Sequence, residues 1–483
     1  MPDMAAYPAD GGADAEFDDV VSWAATAPLP PEVARKARLL LLDSLGCVLS
    51  WLRHGEVAAT AAALARWFPG AMRLPGCDAA LAPAGIAAVA AAAMCWDEAN
   101  EGLARAHGRP ALSVVPVLLA AAPGQGLGRL LRGLALGYEV GARAGELWRI
   151  RPGMHVDGSW HALGAAAAAA WLGGGDAARA ARIAACQVPF SLYRPLAFGM
   201  TARNSYAAHA ALLGILSAAA AEGGADAPRG GFAEARRLAL LHEGEPSRSP
   251  AGTWLLLEAY LKPYAGVRHA HYAAAAAIAA RRGVARSEDI VAARLETYAE
   301  ALRYAANRAP AAPIAAQFSL SFGAASGLRF GDLSPDSYLA MADGELRRLE
   351  ALVELAEDAA LTAAGRRGAR IVLRLADGGT REAAVGDVPG DPANPLPGPE
   401  VRAKFLPSPA TFRRRRRSSR ACSRATTARR SRSTPDARRQ PPSIAGMKQT
   451  SAPSGTSSRK AFWWITPSIA TATPSCSRAA MPG

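Results

Sequence analysis

Pro83-Ala-Gly-Ile-Ala-Ala-Val-Ala-Ala-Ala-Ala-Met-Cys-Trp96 runs directly into Asp97-Glu98-Ala-Asn100-Glu101. Proline at the start and alanine throughout predict a helix over 83–96. The run is apolar on every side, so that helix has no solvent face and is expected in the core. Alanine adds little membrane-transfer energy. This stretch and the similar 162–172 therefore read as close-packed buried helices, not membrane spans. Asp97 and Glu98 then fall at the helix C-terminus, where the dipole disfavours carboxylates. That placement tends to raise a carboxylate pKa and suits it to proton transfer.

The same pattern extends outward. Pro30-Pro31-Glu32 starts a helix that carries apolar spacing to residue 51. Further helices are predicted over 112–122, 127–150, 162–172, 177–187 and 206–222, with Gly and Pro at the junctions. Residues 1–17 are expected to be disordered, and 18–254 to form an all-helical domain. The character changes after residue 253. A helix over 270–282 is followed by mixed segments. Ile371-Val-Leu-Arg-Leu375, Asp377-Gly378-Gly379-Thr380 and the run 381–385 read as strand, turn and strand. The fold class is mainly α, with a smaller α+β domain over 255–405.

The chain has 483 residues and a formal net charge of +14. Residues 406–483 hold 16 Lys/Arg and one acidic residue, Asp436. Removing them from the totals of 55 and 41 leaves 39 basic and 40 acidic residues in 1–405. The body is electrically balanced, so no nucleic-acid partner is expected of it. The tail includes Arg413 to Arg417 in a row and has neither helical nor strand period. We read it as disordered and as an out-of-frame translation of GC-rich DNA. The six cysteines show no CxxC pair, which fits a reducing cytoplasm. The polar, acidic N-terminus is not a signal peptide, and no membrane partner is expected.

Four segments between the helices carry candidate chemistry. Asp97-Glu98-x-Asn100 is followed by His107-Gly108-Arg109-Pro110. His155, Asp157 and His161 lie in a Gly-containing loop between two apolar helices. Thr201-x-Arg203-Asn204 precedes a helix, where Arg203 and free N–H groups make a carboxylate site. Lys262-Pro263-Tyr264 with Arg268-His269-x-His271 stands before another helix. Lys262 and Arg268 can hold an anion there, and a histidine at a helix start is biased to its neutral form. The His-x-His pair lacks an HExxH or paired cysteines, so no metal is expected. Nucleotide, nicotinamide and serine-hydrolase signatures are missing. Such a set fits a small polycarboxylate substrate and proton transfer.

In order along the chain, these segments and Gln317-Phe318-Ser319-Leu320, Asp377-Gly378, Asn394-Pro395-Leu396 and Lys404-Phe405 resemble the MmgE/PrpD family. That family contains 2-methylcitrate dehydratases, cis-aconitate decarboxylases and iminodisuccinate epimerases. The resemblance runs from about Asp18 to Phe405. It implies a large helical domain, an α+β lid, a homodimer, a site between the domains, and chemistry without metal or organic cofactor. It places Asp97, His107, His155, Arg203, Lys262 and His269 or His271 at or near active-site positions. The chain departs from the family's pattern in having Glu101 for a Thr, Arg203 for a Lys and Phe322 for a Tyr. Spacing from Asp97 selects His107, whereas spacing back from Pro116 selects Arg109. The tail stands where the family has further helices.

The expected function is a cytoplasmic, cofactor-independent lyase, of dehydratase or decarboxylase type, acting on a small di- or tricarboxylate. Asp97, His107, His155, His269 and His271 are the catalytic candidates. Arg203, Lys262, Arg268 and Asn100 are the substrate-binding candidates. One histidine, His155 or His269, would remove a proton alpha to a carboxylate, and Asp97 or His107 would donate one to the leaving group or to the carbon. The alternatives are an epimerase or isomerase using the same proton abstraction, and a degenerate homologue without activity.

Overall fold

The computed structural model describes residues 11–239 and 249–404. The tail read as out of frame lies outside the described residues. What is described is mainly α, with a small mixed sheet.

The alanine-rich helices cross with almost no side chain between them. A Cβ built on Gly164 would stand 2.3 Å from the Gly137 carbonyl oxygen, and one on Gly214 would stand 2.5 Å from the Ala165 Cβ. Only small residues permit such an approach, and the gain is dense packing over long contact lines. His161–Gly173 packs on Leu127–Leu147 and on Tyr206–Glu222 in this way. Pro83–Trp96 is buried continuously from Gly85 to Cys95, as an all-apolar helix must be.

The first helix, Gly11–Thr26, begins inside the segment expected to be disordered. It is held by burying Val21 and Ala24 and by packing on Leu127–Leu147, a tertiary anchor that a polar leader sequence does not announce.

Beyond residue 254 a sheet joins the helices. Four strands line up in the order Val353–Glu357, Ile290–Thr297, Ala369–Leu375 and Thr380–Val385. The first pair is parallel and the other two are antiparallel. The last two form the predicted hairpin. Its turn is closed by the Gly379 N–H donating to Asp377 Oδ1 at 2.8 Å, with Gly378 at a φ of 82°. Ile371, Leu373 and Leu375 alternate inward. Arg268–Ala280 covers the sheet and packs against Leu320–Phe330.

The change at residue 254 is not a loose linker. Trp254, Leu255 and Leu256 are buried, and the Leu255 and Leu256 N–H groups donate to the Glu139 carboxylate at 3.1 and 2.8 Å. One hydrophobic core runs from Val21 to Val388. Exposed, weakly bonded linkers mark domain boundaries elsewhere. Here the backbone is locked into both parts.

Candidate active site

The Pro83–Trp96 helix ends by delivering two carboxylates into the interior. Asp97 caps it, and Glu98 follows at a φ of 51°. A non-glycine residue in that region costs about 1–2 kcal/mol. The position is held because the Glu98 carbonyl accepts from Lys262 Nζ at 2.9 Å and from the Gly266 N–H at 3.1 Å.

Glu98 is the centre of a buried charge cluster. Its carboxylate accepts from Arg109 at 2.9 Å, from Lys262 at 2.8 Å, and from Arg203. Arg109 also donates to Asn100 Oδ1 at 2.7 Å and to Asp157. Arg203 reaches the Cys95 carbonyl at 2.8 Å and the Asn204 side chain at 3.1 Å. The desolvation cost of so many ions is offset by their mutual pairing. Burial pushes the Lys262 ammonium well down, and the Arg109 and Arg203 charges add to that against the pull of Asp157. Burial alone would raise Asp157, but Arg109 holds it well below the usual carboxylate range.

Asp97 is paired differently. His54 Nε2 lies 2.7 Å from its Oδ1, while Oδ2 is buried with no partner among the described residues. Glu101 is also buried. It accepts from the Ala111 N–H at 2.9 Å, and desolvation lifts its pKa to about 8.

The histidines separate by environment. His155 lies on a two-residue strand, Met154–His155, paired with Ser191–Leu192. Its Nδ1 accepts the Asp157 backbone N–H at 3.0 Å, so the neutral ring carries its proton on Nε2. His269 Nδ1 lies 2.5 Å from the Tyr298 hydroxyl, and burial together with the Arg367 and Lys262 charges lowers its pKa to about 3. Aromatic rings link the two. His155 to Tyr193, Tyr193 to Tyr304 and Tyr304 to His269 are 6.0, 6.2 and 6.1 Å between centroids. His161 is fully buried, stacked on Trp160 at 3.8 Å, with neither ring nitrogen bonded and its pKa lowered by burial to about 3.

Several expected site residues stand elsewhere than anticipated. His107 sits at a φ of 50° in an exposed turn, and the interior place is taken by Arg109. His271 is fully buried with both nitrogens engaged, Nε2 on the Gly266 carbonyl at 3.1 Å and Nδ1 on Arg268 at 3.2 Å. Arg268, His269 and His271 belong to the first turn of Arg268–Ala280 and do not precede it. Arg268 is taken up by Asp391 and by the ring of Tyr260, 4.6 Å away. Arg203 and Lys262, expected to face a substrate, face Glu98. Asn100 serves Arg109.

His54, Tyr193, Tyr298, Tyr304 and Arg367 escaped the sequence reading. Each lies in a segment without a motif, and only folding brings it to its partner. Asp157 and Glu98 were in the quoted segments. Their role was hidden because a carboxylate's partners come from distant elements.

Among the described residues no helix is long and apolar enough to cross a membrane. No curated protein matches the chain. The family model of the MmgE/PrpD N-terminal domain matches residues 15–247, and that of the MmgE/PrpD C-terminal domain matches residues 264–421. Between them they take in Glu98 with Arg109, Asp157 and Arg203, both ring-linked histidines and the four-stranded sheet: the chain belongs to the MmgE/PrpD family.

Proposed function

We propose that the protein is a cofactor-independent lyase that removes a proton alpha to a carboxylate of a small di- or tricarboxylate. The observation that carries this reading is the contrast between its two ring-linked histidines. His155 has its Nδ1 lone pair engaged by a backbone N–H, which leaves Nε2 protonated and able only to donate. His269 meets a hydroxyl at Nδ1, and a hydroxyl can accept as well as donate. When Nδ1–H donates to Tyr298, Nε2 is a bare acceptor on a ring kept neutral by burial. His269 is then the base and His155 a donor to the substrate. The alpha proton stays on His269, and a second proton, for the leaving group or for the carbon, is donated by Asp97 and not by the exposed His107. Asp97 is buried, oriented by His54, and has one oxygen with no partner among the described residues.

The apolar side chains of Phe190, Leu192, Phe198 and Met200 are exposed around the His155 strand pair. They support the homodimer that the family resemblance implies, with a second copy covering them. Light scattering on the purified chain checks this, and a monomer at micromolar concentration would remove it.

The test of the reaction is a screen of citrate-like and aspartate-like acids in deuterated buffer. Loss of water or carbon dioxide marks a lyase. Deuterium uptake without mass loss marks an epimerase. His269→Gln should lower either by roughly 10²–10⁴-fold, the usual contribution of a general base. Wild-type turnover in His269→Gln, with turnover lost in His155→Gln, would reverse the two roles.

A further inference from the structure

A cavity of about 520 Å³ opens between the turn at Leu103–Arg105 and the loops flanking the last hairpin. Arg105, Arg366, Arg367, Tyr260 and Tyr272 are among its walls, as are Glu258, Asp387 and Asp391. Half of these charges are already matched. Arg105 holds Glu258 through two hydrogen bonds of 3.1 and 3.0 Å, and Asp391 is engaged by Arg268. Arg366 is exposed.

Arg367 differs from the rest. Its guanidinium makes no hydrogen bond among the described residues, and its one ion pair, to Glu300, is long at 3.7 Å. Its side chain is 29% exposed, partly withdrawn from water yet open to the cavity. Tyr260 and Tyr272 line the cavity beside it, and its charge adds to burial in lowering the pKa of His269 and of His107. A planar guanidinium with spare donors, walled by tyrosines, matches a carboxylate bidentately.

We infer that this cavity is a carboxylate subsite and that Arg367 is its anion-binding residue, with Glu300 the internal carboxylate that a ligand displaces. This rests on the lyase reading only in making the anion one arm of the polycarboxylate whose proton His269 removes. The binding claim stands without it. The assignment replaces Arg203 and Lys262, which are already paired with Glu98.

Calorimetric titration of the full chain with citrate tests it, with sulfate at equal ionic strength as the control. Wild type should bind citrate, and Arg367→Ala should weaken it about thirtyfold or more, as when one partner of a desolvated charge pair is removed. Arg367→Lys, which keeps the charge but not the fork, should fall between them. Glu300→Gln should tighten binding by removing the competitor, and Arg294→Ala on the exposed sheet should leave it unchanged. Unchanged affinity in a folded Arg367→Ala variant overturns the assignment, as does failure of wild type to take citrate, malate or aspartate. His269→Gln separates the two readings, since it should abolish turnover and spare citrate affinity. If citrate binding depends on Arg367 while no acid is turned over, the subsite stands and the lyase reading falls.

Discussion

Two arginine-rich regions of this molecule behave in opposite ways. Around Glu98, Arg109, Arg203 and Lys262 are buried, and each has a carboxylate or carbonyl within hydrogen-bond reach. Around the cavity, Arg367 is partly withdrawn from water and, among the described residues, has only a distant Glu300. The first set is self-neutralising and stabilises the junction of the main helices. The second holds donors in reserve. Positive charge near a recognisable motif is therefore a poor guide to ligand binding, and unspent hydrogen-bonding capacity is a better one.

The largest break in this comparison should come from Glu98→Ala. It leaves Arg203 and Lys262 buried without their carboxylate, with Asp157 still on Arg109, and removal of one buried partner costs about 3–5 kcal/mol. Urea melts should show that loss, or the variant should accumulate unfolded. A loss below about 1 kcal/mol would mean the cluster is not neutralised by Glu98.

Acid sharpens the same contrast. His161 and His269 have folded pKa values lowered by burial from 6.5 to about 3. Between those values the unfolded chain binds protons that the folded one does not. Stability is complete above 6.5 and falls as pH drops toward 3, by roughly 1.4 kcal/mol per pH unit for each histidine. Glu101 opposes this over a different window, since burial raises its pKa from 4.5 to about 8 and ionising it costs stability as pH rises between them. Melting temperature against pH should therefore decline below 6.5, and His161→Phe should flatten that slope.

Smaller effects follow at the edges of the site. His54→Ala leaves Asp97 buried with no hydrogen bond, an expected loss of about 1–3 kcal/mol that His54→Gln should partly restore. Arg367→Ala should move stability by no more than about 1 kcal/mol, because its ion pair is long and partly exposed. His107→Gly should be neutral or stabilising by up to about 1 kcal/mol, since it relieves a left-handed φ, and should keep turnover. Loss of turnover in His107→Gly would return that residue to the site.

Much of the helical architecture was readable because alanine and glycine run lengths state both helix and burial. The hairpin at 369–385 was readable because alternation and an Asp-Gly turn are local signals. His107 against Arg109 could not be chosen by counting, since two spacings disagreed. The choice was made by packing, which turned one side chain outward and gave the other Glu98, Asn100 and Asp157. The helix at Gly11–Thr26 was missed because its stability comes from a partner more than a hundred residues away.

Residue types and order along the chain thus settled the family, the buried alanine-rich helices, and which segments carry titratable groups. Which of those groups remain free to act was decided by folding. Charge neutralisation is a sum over neighbours from distant elements, and neither Lys262 nor Arg367 carries in its own sequence context any record of how many partners it will meet.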